Sequence, residues 1–284
     1  MSTGANRLLL LLSGAAATVA MWELVRRTPA GLHPQWHRLN YRGRQVSLLG
    51  GPVVFSSVLA GCAAAAVAVP VSARPVTLAL VIVAAGAGAA GIHDDLRGGE
   101  DAKGLRGHLR ALRRGRLTSG AVKVLVLAVS GLIAAAVLAD GLSARVVQDG
   151  MLIAGFANLI NLLDLRPGRA AKVAVAAFAV LLAARSVAVT PLAWCAGVSV
   201  AILGYDVRER VMLGDGGANV LGGAVGVGVV AAGAPVLRAW VLLAVIALTL
   251  LSEFVSFSTV IAAAPPLRWL DELGRADRGQ RARA

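Results

Sequence analysis

PVTLALVIVAAGAGAAGIHDDLR, residues 75–97, decides how the rest of the chain is read. From Pro75 to Ile92 it carries no charge, and then His93, Asp94 and Asp95 arrive together. An uncharged, mostly apolar run of this length is about what a helix needs to cross ~30 Å of hydrocarbon. In hydrocarbon every backbone N–H and C=O must be satisfied within the segment or a closed barrel, which makes helix the natural reading. Working outward, the same texture repeats. Apolar runs fall at about 7–25, 48–69, 75–92, 119–139, 147–163, 170–188, 191–205, 217–234 and 237–256, separated by short basic segments. The first run opens like a signal peptide, with Arg7 ahead of Leu8–Leu12, but it continues to Val25 and meets Arg26 and Arg27 as a stop-transfer flank. It reads as a span. The expected fold is all-α: a polytopic transmembrane helix bundle of about nine spans.

Composition agrees. Of 284 residues, 57% are hydrophobic and 15% charged, whereas a soluble domain carries about a quarter charged. Mean hydropathy is +0.75. These values exclude a disordered chain and argue against a water-soluble enzyme. The net charge of +13 is unevenly distributed. When the loops are assigned alternately to two sides, one side holds 23 of the 28 Lys and Arg residues. Basic loops stay in the cytoplasm, so the N-terminus is expected outside and the C-terminus inside. Residues 1–256 then form a single transmembrane domain, and 257–284 a basic cytoplasmic tail. On this account the positive charge sets topology, and no nucleic-acid partner is expected. Cys62 and Cys195 lie inside apolar runs with no metal or disulfide spacing and read as core fillers. No internal repeat is visible, which gives an inverted-repeat transporter no support. The glycines at 222, 223, 226 and 228 read as small residues that let helices approach closely.

The polar residues gather at one end of the spans. Asp94 and Asp95 end the third run, Asn158, Asn161 and Asp164 end the fifth, and Asp215 and Asn219 follow the seventh. Carboxylates at membrane depth are costly and usually functional. Hard oxygen donors of this kind suit Mg²⁺, which takes one or two carboxylates together with waters and substrate phosphates. The chemistry they fit is metal-assisted phosphoryl transfer. Asn158, Asn161 and Asp164 recur at i, i+3 and i+6 along one broad helix side; the two amides suit hydrogen bonds between helices equally well. Lys103, shortly after the carboxylate pair, can hold a phosphate as a point charge. Beyond it, Leu105, Leu109 and Leu112 alternate with Arg106, Arg110, Arg113 and Arg114, the pattern of a short basic amphipathic helix at a membrane surface. Gly86-x-Gly88-x-x-Gly91 matches a dinucleotide fingerprint, but it sits inside an apolar run with no preceding strand, and we reject that reading.

With these residues in place, the chain resembles the polyprenyl-phosphate N-acetylhexosamine-1-phosphate transferases, the MraY/WecA superfamily, over about residues 26–256. Asn40-Tyr41-Arg42-Gly43-Arg44 followed by Leu49-Gly50-Gly51 resembles the family's first cytoplasmic loop, and His93-Asp94-Asp95 its Asp-Asp signature. Lys103-Gly104-Leu105 resembles the lysine that follows, Asn158-x-x-Asn161-Leu162-x-Asp164 the Asn-x-x-Asn motif, and Leu213-Gly214-Asp215-Gly216-Gly217 the Gly-Asp-x-Gly loop. The resemblance implies a reaction in which a polyprenyl phosphate, typically undecaprenyl phosphate, attacks the β-phosphorus of a UDP-N-acetylhexosamine and releases UMP. It also implies Mg²⁺, with Mn²⁺ as a substitute, and a place in cell-envelope glycan synthesis, of peptidoglycan or another polymer. The expected setting is the bacterial plasma membrane with the site facing the cytoplasm, and a homodimer is admissible. By the same resemblance Asp215, with Asp95, would hold the metal, and Asp94 would deprotonate or orient the lipid phosphate. Lys103 would hold phosphate, and Asp164 would join the catalytic group. Asn40, Arg42, Asn158, Asn161 and Asn219 would bind substrate.

The chain departs from the family pattern in its last loop. Family enzymes carry a histidine there, whereas His33, His37, His93 and His108 all precede the midpoint of this sequence. Arg166-Pro167-Gly168-Arg169 also replaces the continuation seen in MraY after its aspartate. A non-catalytic relative that binds polyprenyl phosphate or scaffolds envelope synthesis therefore stands as the alternative.

Overall fold

A computed structural model describes residues 3–98, 104–139, 143–184 and 186–275. The chain begins with helix α1 (Thr3–Val25), followed by a small antiparallel hairpin of β1 (His37–Leu39) and β2 (Gln45–Ser47). Then come α2 (Gly50–Ala68), α3 (Arg74–Arg97), α4 (Gly104–Arg113), α5 (Ser119–Ala139) and α6 (Ala144–Leu163). The second half holds α7 (Arg169–Ala183), α8 (Leu192–Asp206), α9 (Gly214–Ala232), α10 (Pro235–Ser252), α11 (Phe257–Ala263) and α12 (Pro265–Glu272). The fold is an all-α bundle.

Each of the nine apolar runs forms a helix. Seven helices, α1, α2, α3, α5, α6, α9 and α10, are long and apolar enough to cross a membrane. The runs at 170–188 and 191–205 yield shorter helices, since α7 and α8 have 15 residues each, or about 22 Å at 1.5 Å per residue. Around α8 the protein itself supplies the apolar surroundings. Trp194, Cys195, Val198 and Ile202 are all buried, so the apolar character of this run comes from core packing as well as from any lipid contact.

The core centres on α9, most of whose residues are buried. It packs against α3, α6, α2 and α7. Its glycines make these contacts close: a Cβ on Gly226 would lie 2.7 Å from the Cα of Ile153 on α6. Helix α1 lies against α8 and α2, and α5 against α3 and α6. The Trp194 indole donates to the carbonyl of Ser57 at 2.8 Å, tying α8 to α2. Cys62 and Cys195 are free and buried in this core. Helix α10 is peripheral. It packs mainly on α6 and buries only Val245.

Loops far apart in sequence meet at one end of the bundle. Ser47 bridges Val211 in parallel, and the Met212 amide donates to the Ser47 carbonyl at 2.7 Å. The Arg38 guanidinium donates to the carbonyl of Asp95 at 2.9 Å. Residues 257–275 fold back here, with α11 and α12. Arg169, 5% exposed, donates to both carboxylate oxygens of Asp271 at 2.8 and 3.0 Å and to the Ser258 hydroxyl at 3.0 Å. Arg275 donates to Asp271 and to the Pro167 carbonyl. Burial alone would raise the Asp271 carboxyl, but the hydrogen bond from Arg169 and the charges of Arg275 and Arg169 hold it below its usual range. Through Arg275, the region expected to be a tail is therefore a docked element.

Candidate functional site

At the end where these loops meet, α3, α5, α6 and α9 each deliver a charged side chain. Asp94 and Asp95 lie in the last turn of α3, Lys123 in the second turn of α5, Asp164 at the C-cap of α6 and Asp215 in the first turn of α9.

Asp95 is committed to the start of α9. Its Oδ1 accepts from the Asp215 amide and its Oδ2 from the Gly216 amide, both at 2.9 Å. The first amides of a helix have no intrahelical acceptor, and the positive end of the helix dipole favours a carboxylate. Two glycines make this approach fit. Gly214 sits at φ +58, and a Cβ there would lie 2.7 Å from Asp95 Oδ2. A Cβ on Gly91 would lie 2.5 Å from the Asp215 carbonyl oxygen. The Gly-Asp-x-Gly stretch thus works as a turn that lets α9 begin against the end of α3.

Lys123 joins the other two carboxylates. Its Nζ lies 2.8 Å from Asp94 Oδ2 and also pairs with Asp215 Oδ2. The side chains of Lys123, Asp94 and Asp215 are 12%, 15% and 24% exposed, so the cluster is largely but not fully sequestered. Asp164 stands beside it. Burial first, and then the nearby carboxylates of Asp206, Asp215 and Asp95, push the Asp164 carboxyl well above its usual range, and the Gly214 amide offsets this only in part.

The structure thus groups Asp94, Asp95 and Asp215, with Asp164 alongside. Two carboxylates pair with one ammonium and two more lie close by, a local excess of negative charge that suits a cation with hard oxygen preference. Among the described residues no group of three or more His, Cys, Asp or Glu side chains could hold a metal ion by itself. Protein ligation would rest on one or two carboxylates, a donor set Mg²⁺ accepts when waters and phosphate oxygens complete its shell. Asp215 and Asp94 are the residues placed for it. Asp95, expected as a second metal ligand, has both oxygens engaged as the cap of α9.

Other expected site residues are placed differently. Asn40 is a turn former: its Oδ1 accepts from the amides of Arg42 and Arg44 at 2.9 and 3.0 Å, and its Nδ2 donates to Glu209 at 3.0 Å. Arg42 pairs with Glu209 Oε1 at 2.8 Å. The Arg42 and Arg166 guanidinium groups both lie over the Tyr41 ring, at 5.1 and 4.1 Å from its centroid. Asn219 is fully buried, and its amide donates to the Asp215 carbonyl at 2.7 Å. It braces the first turn of α9, while its Oδ1 is buried with no hydrogen-bond partner among the described residues. Asn158 and Asn161 are partly buried on α6, and among the described residues neither side-chain amide has a hydrogen-bond partner. His93 is exposed. Lys103 lies outside the described residues.

Sequence reasoning missed three participants. Lys123 is one of the 23 basic residues assigned to the cytoplasmic side, although a lone lysine four residues into the otherwise charge-free run 119–139 is the signal that could have found it. Asp206, buried and accepting from the Gly168 amide at 2.9 Å, fixes the turn after Asp164. Glu209 gathers the first loop, and no local pattern marks it. No protein-family model and no curated protein matches this chain.

Proposed function

We propose that the protein is an integral membrane transferase that moves a sugar-1-phosphate from a UDP-N-acetylhexosamine to a polyprenyl phosphate, releasing UMP. Its aspartate end, which carries the basic loops, would face the cytoplasm of a bacterial plasma membrane. What supports this reading above all is the grouping of Asp94, Asp95, Lys123 and Asp215 at one end of an apolar bundle, with Asp164 beside them. These aspartates come in the order and spacing of the motifs the chain resembles.

In the reaction, an oxygen of the lipid phosphate attacks the β-phosphorus of the nucleotide sugar. A P–O bond forms there, the bond from the β-phosphorus to the bridging oxygen breaks, and UMP departs with that electron pair. The attacking phosphate is already an oxyanion near neutral pH, so Asp94 orients it and no strong base is required. Asp215, assisted by Asp94, would hold Mg²⁺, which when bound neutralises charge on the diphosphate oxygens. Lys123 keeps the two carboxylates together and adds a fixed positive charge beside the transferring phosphate. Asp95 positions Asp215 by pinning the first turn of α9.

The second reading, a non-catalytic lipid-binding relative, draws on the first loop, where Asn40 and Arg42 are both engaged by Glu209. One assay separates the two. Purified protein with Mg²⁺, undecaprenyl phosphate and UDP-N-acetylglucosamine or UDP-N-acetylgalactosamine should release UMP, and Asp215→Asn should abolish release. Lipid binding without UMP from any UDP-N-acetylhexosamine would select the second reading.

A further inference from the structure

At the end of the bundle away from the aspartates, the starts of α3, α6 and α10 and the ends of α5 and α9 enclose a cavity of about 370 Å³. Its lining includes Arg145, Arg238, Asp149, the hydroxyl residues Ser72 and Ser143, and Leu138. Arg238 of α10 donates to Asp149 of α6 at 2.5 Å, and the Asp149 carboxylate is only 4% exposed. That pair leaves much of the guanidinium unused: the Arg238 Nε is buried with no hydrogen-bond partner among the described residues. Arg145 lies one helical turn before Asp149, is exposed, and among the described residues has no hydrogen bond or ion pair. The cavity therefore holds two guanidinium groups and one carboxylate among its lining, a surplus positive charge with several unspent N–H and O–H donors.

We propose that this cavity is a phosphoryl-binding site, in which Arg145 and Arg238 hold the phosphate oxygens and Ser72 and Ser143 supply further donors. A phosphoryl group matches the donor set better than a carboxylate does, because its three or more oxygens can engage both planar guanidinium forks at once. The phosphate reaches the site as an anionic phospholipid headgroup or as free phosphate. The surroundings suit a headgroup: the cavity lies at the ends of membrane-length helices, and Trp240, 67% exposed, stands two residues beyond Arg238, where an indole marks the interfacial level. The site is separate from the aspartate cluster, and the inference does not depend on the transferase reading.

The test uses the full-length protein, delipidated in detergent and titrated with phosphatidylglycerol, with inorganic phosphate, and with dioleoylglycerol as a lipid lacking the phosphoryl group. Dissociation constants are read by thermophoresis. Phosphatidylglycerol or phosphate should bind saturably and dioleoylglycerol should not. Arg145→Gln should weaken binding about tenfold or more, the loss of one charge-assisted contact. Arg238→Gln alone would strand a buried carboxylate, so the second variant is Arg238→Gln with Asp149→Asn, which should also lose the ligand. Binding of phosphatidylglycerol alone identifies a headgroup, and binding of both identifies a site for the free anion as well. Saturable binding of neither, or affinity unchanged in Arg145→Gln, overturns the proposal.

Discussion

Replacing Lys123 with Met removes the ammonium that pairs with both Asp94 and Asp215 while keeping much of the length and apolar stem of the side chain. Breaking a buried ion pair by removing one partner costs about 3–5 kcal/mol. The partners here are 15% and 24% exposed, which places the expected loss near the lower figure, about 3 kcal/mol. At about 2 °C per kcal/mol for a chain of this length, Tm in detergent should fall by roughly 6 °C. The loss has a specific source, the repulsion of two carboxylates left side by side. Asp94→Asn in the Lys123→Met background should therefore recover part of it, with a coupling of about 0.5–3 kcal/mol. MgCl₂ should also raise the Tm of Lys123→Met more than that of the wild type, because the divalent ion supplies the missing positive charge. Differential scanning fluorimetry of the wild type, Lys123→Met, Asp94→Asn and the double variant, with and without MgCl₂, reads all three effects. An unchanged Tm in Lys123→Met, or strictly additive losses in the double variant, would refute the reasoning.

Three further outcomes are expected. Gly91→Ala places a Cβ 2.5 Å from the Asp215 carbonyl oxygen, so α3 and α9 must separate; stability should fall by about 1–3 kcal/mol, and UMP release should fall with it, as thermal melts and the transferase assay will report. The Asp164 carboxyl, raised by burial and neighbouring carboxylates, holds its proton more tightly in the fold than in the unfolded chain. Stability should therefore fall as pH rises from about 4, the unfolded value, toward the raised value, and level off above it; Asp164→Asn should flatten that fall in a series of melts across pH. Asp271→Ala strands the buried Arg169 and frees α11 and α12, so limited trypsin digestion should cut after Arg268 or Arg275 sooner than in the wild type.

Much of the fold was legible because hydrocarbon-compatible runs leave the backbone little choice but helix. The nine runs mark nine helices, and their edges fall within a few residues of those expected. Hydropathy does not distinguish lipid from protein interior as the apolar surroundings, so the run that forms α8 reads like its neighbours although the helix is largely enclosed by the protein. At the site, the aspartates stood out because each borders an otherwise apolar segment. Lys123 did not, because one lysine near a run's edge has the same signature as a topological flank. The engagement of Asn40 and Arg42 by Glu209 was not legible, because Glu209 lies far along the chain and is brought to them beside the Ser47–Val211 bridge. The bracing role of Asn219 was likewise hidden, since spacing places it near Asp215 but does not say which atom of Asp215 it meets.

Helix α10 has a practical consequence for anyone handling this protein. With Val245 its single buried residue and the Arg238–Asp149 pair as its polar fastening, it is seated largely by whatever presses on its outer side. Surrounding acyl chains then act as part of the tertiary structure, a missing wall supplied by the solvent. Stripping them with short-chain detergent should loosen this helix first, while the glycine-packed centre around α9 stays intact.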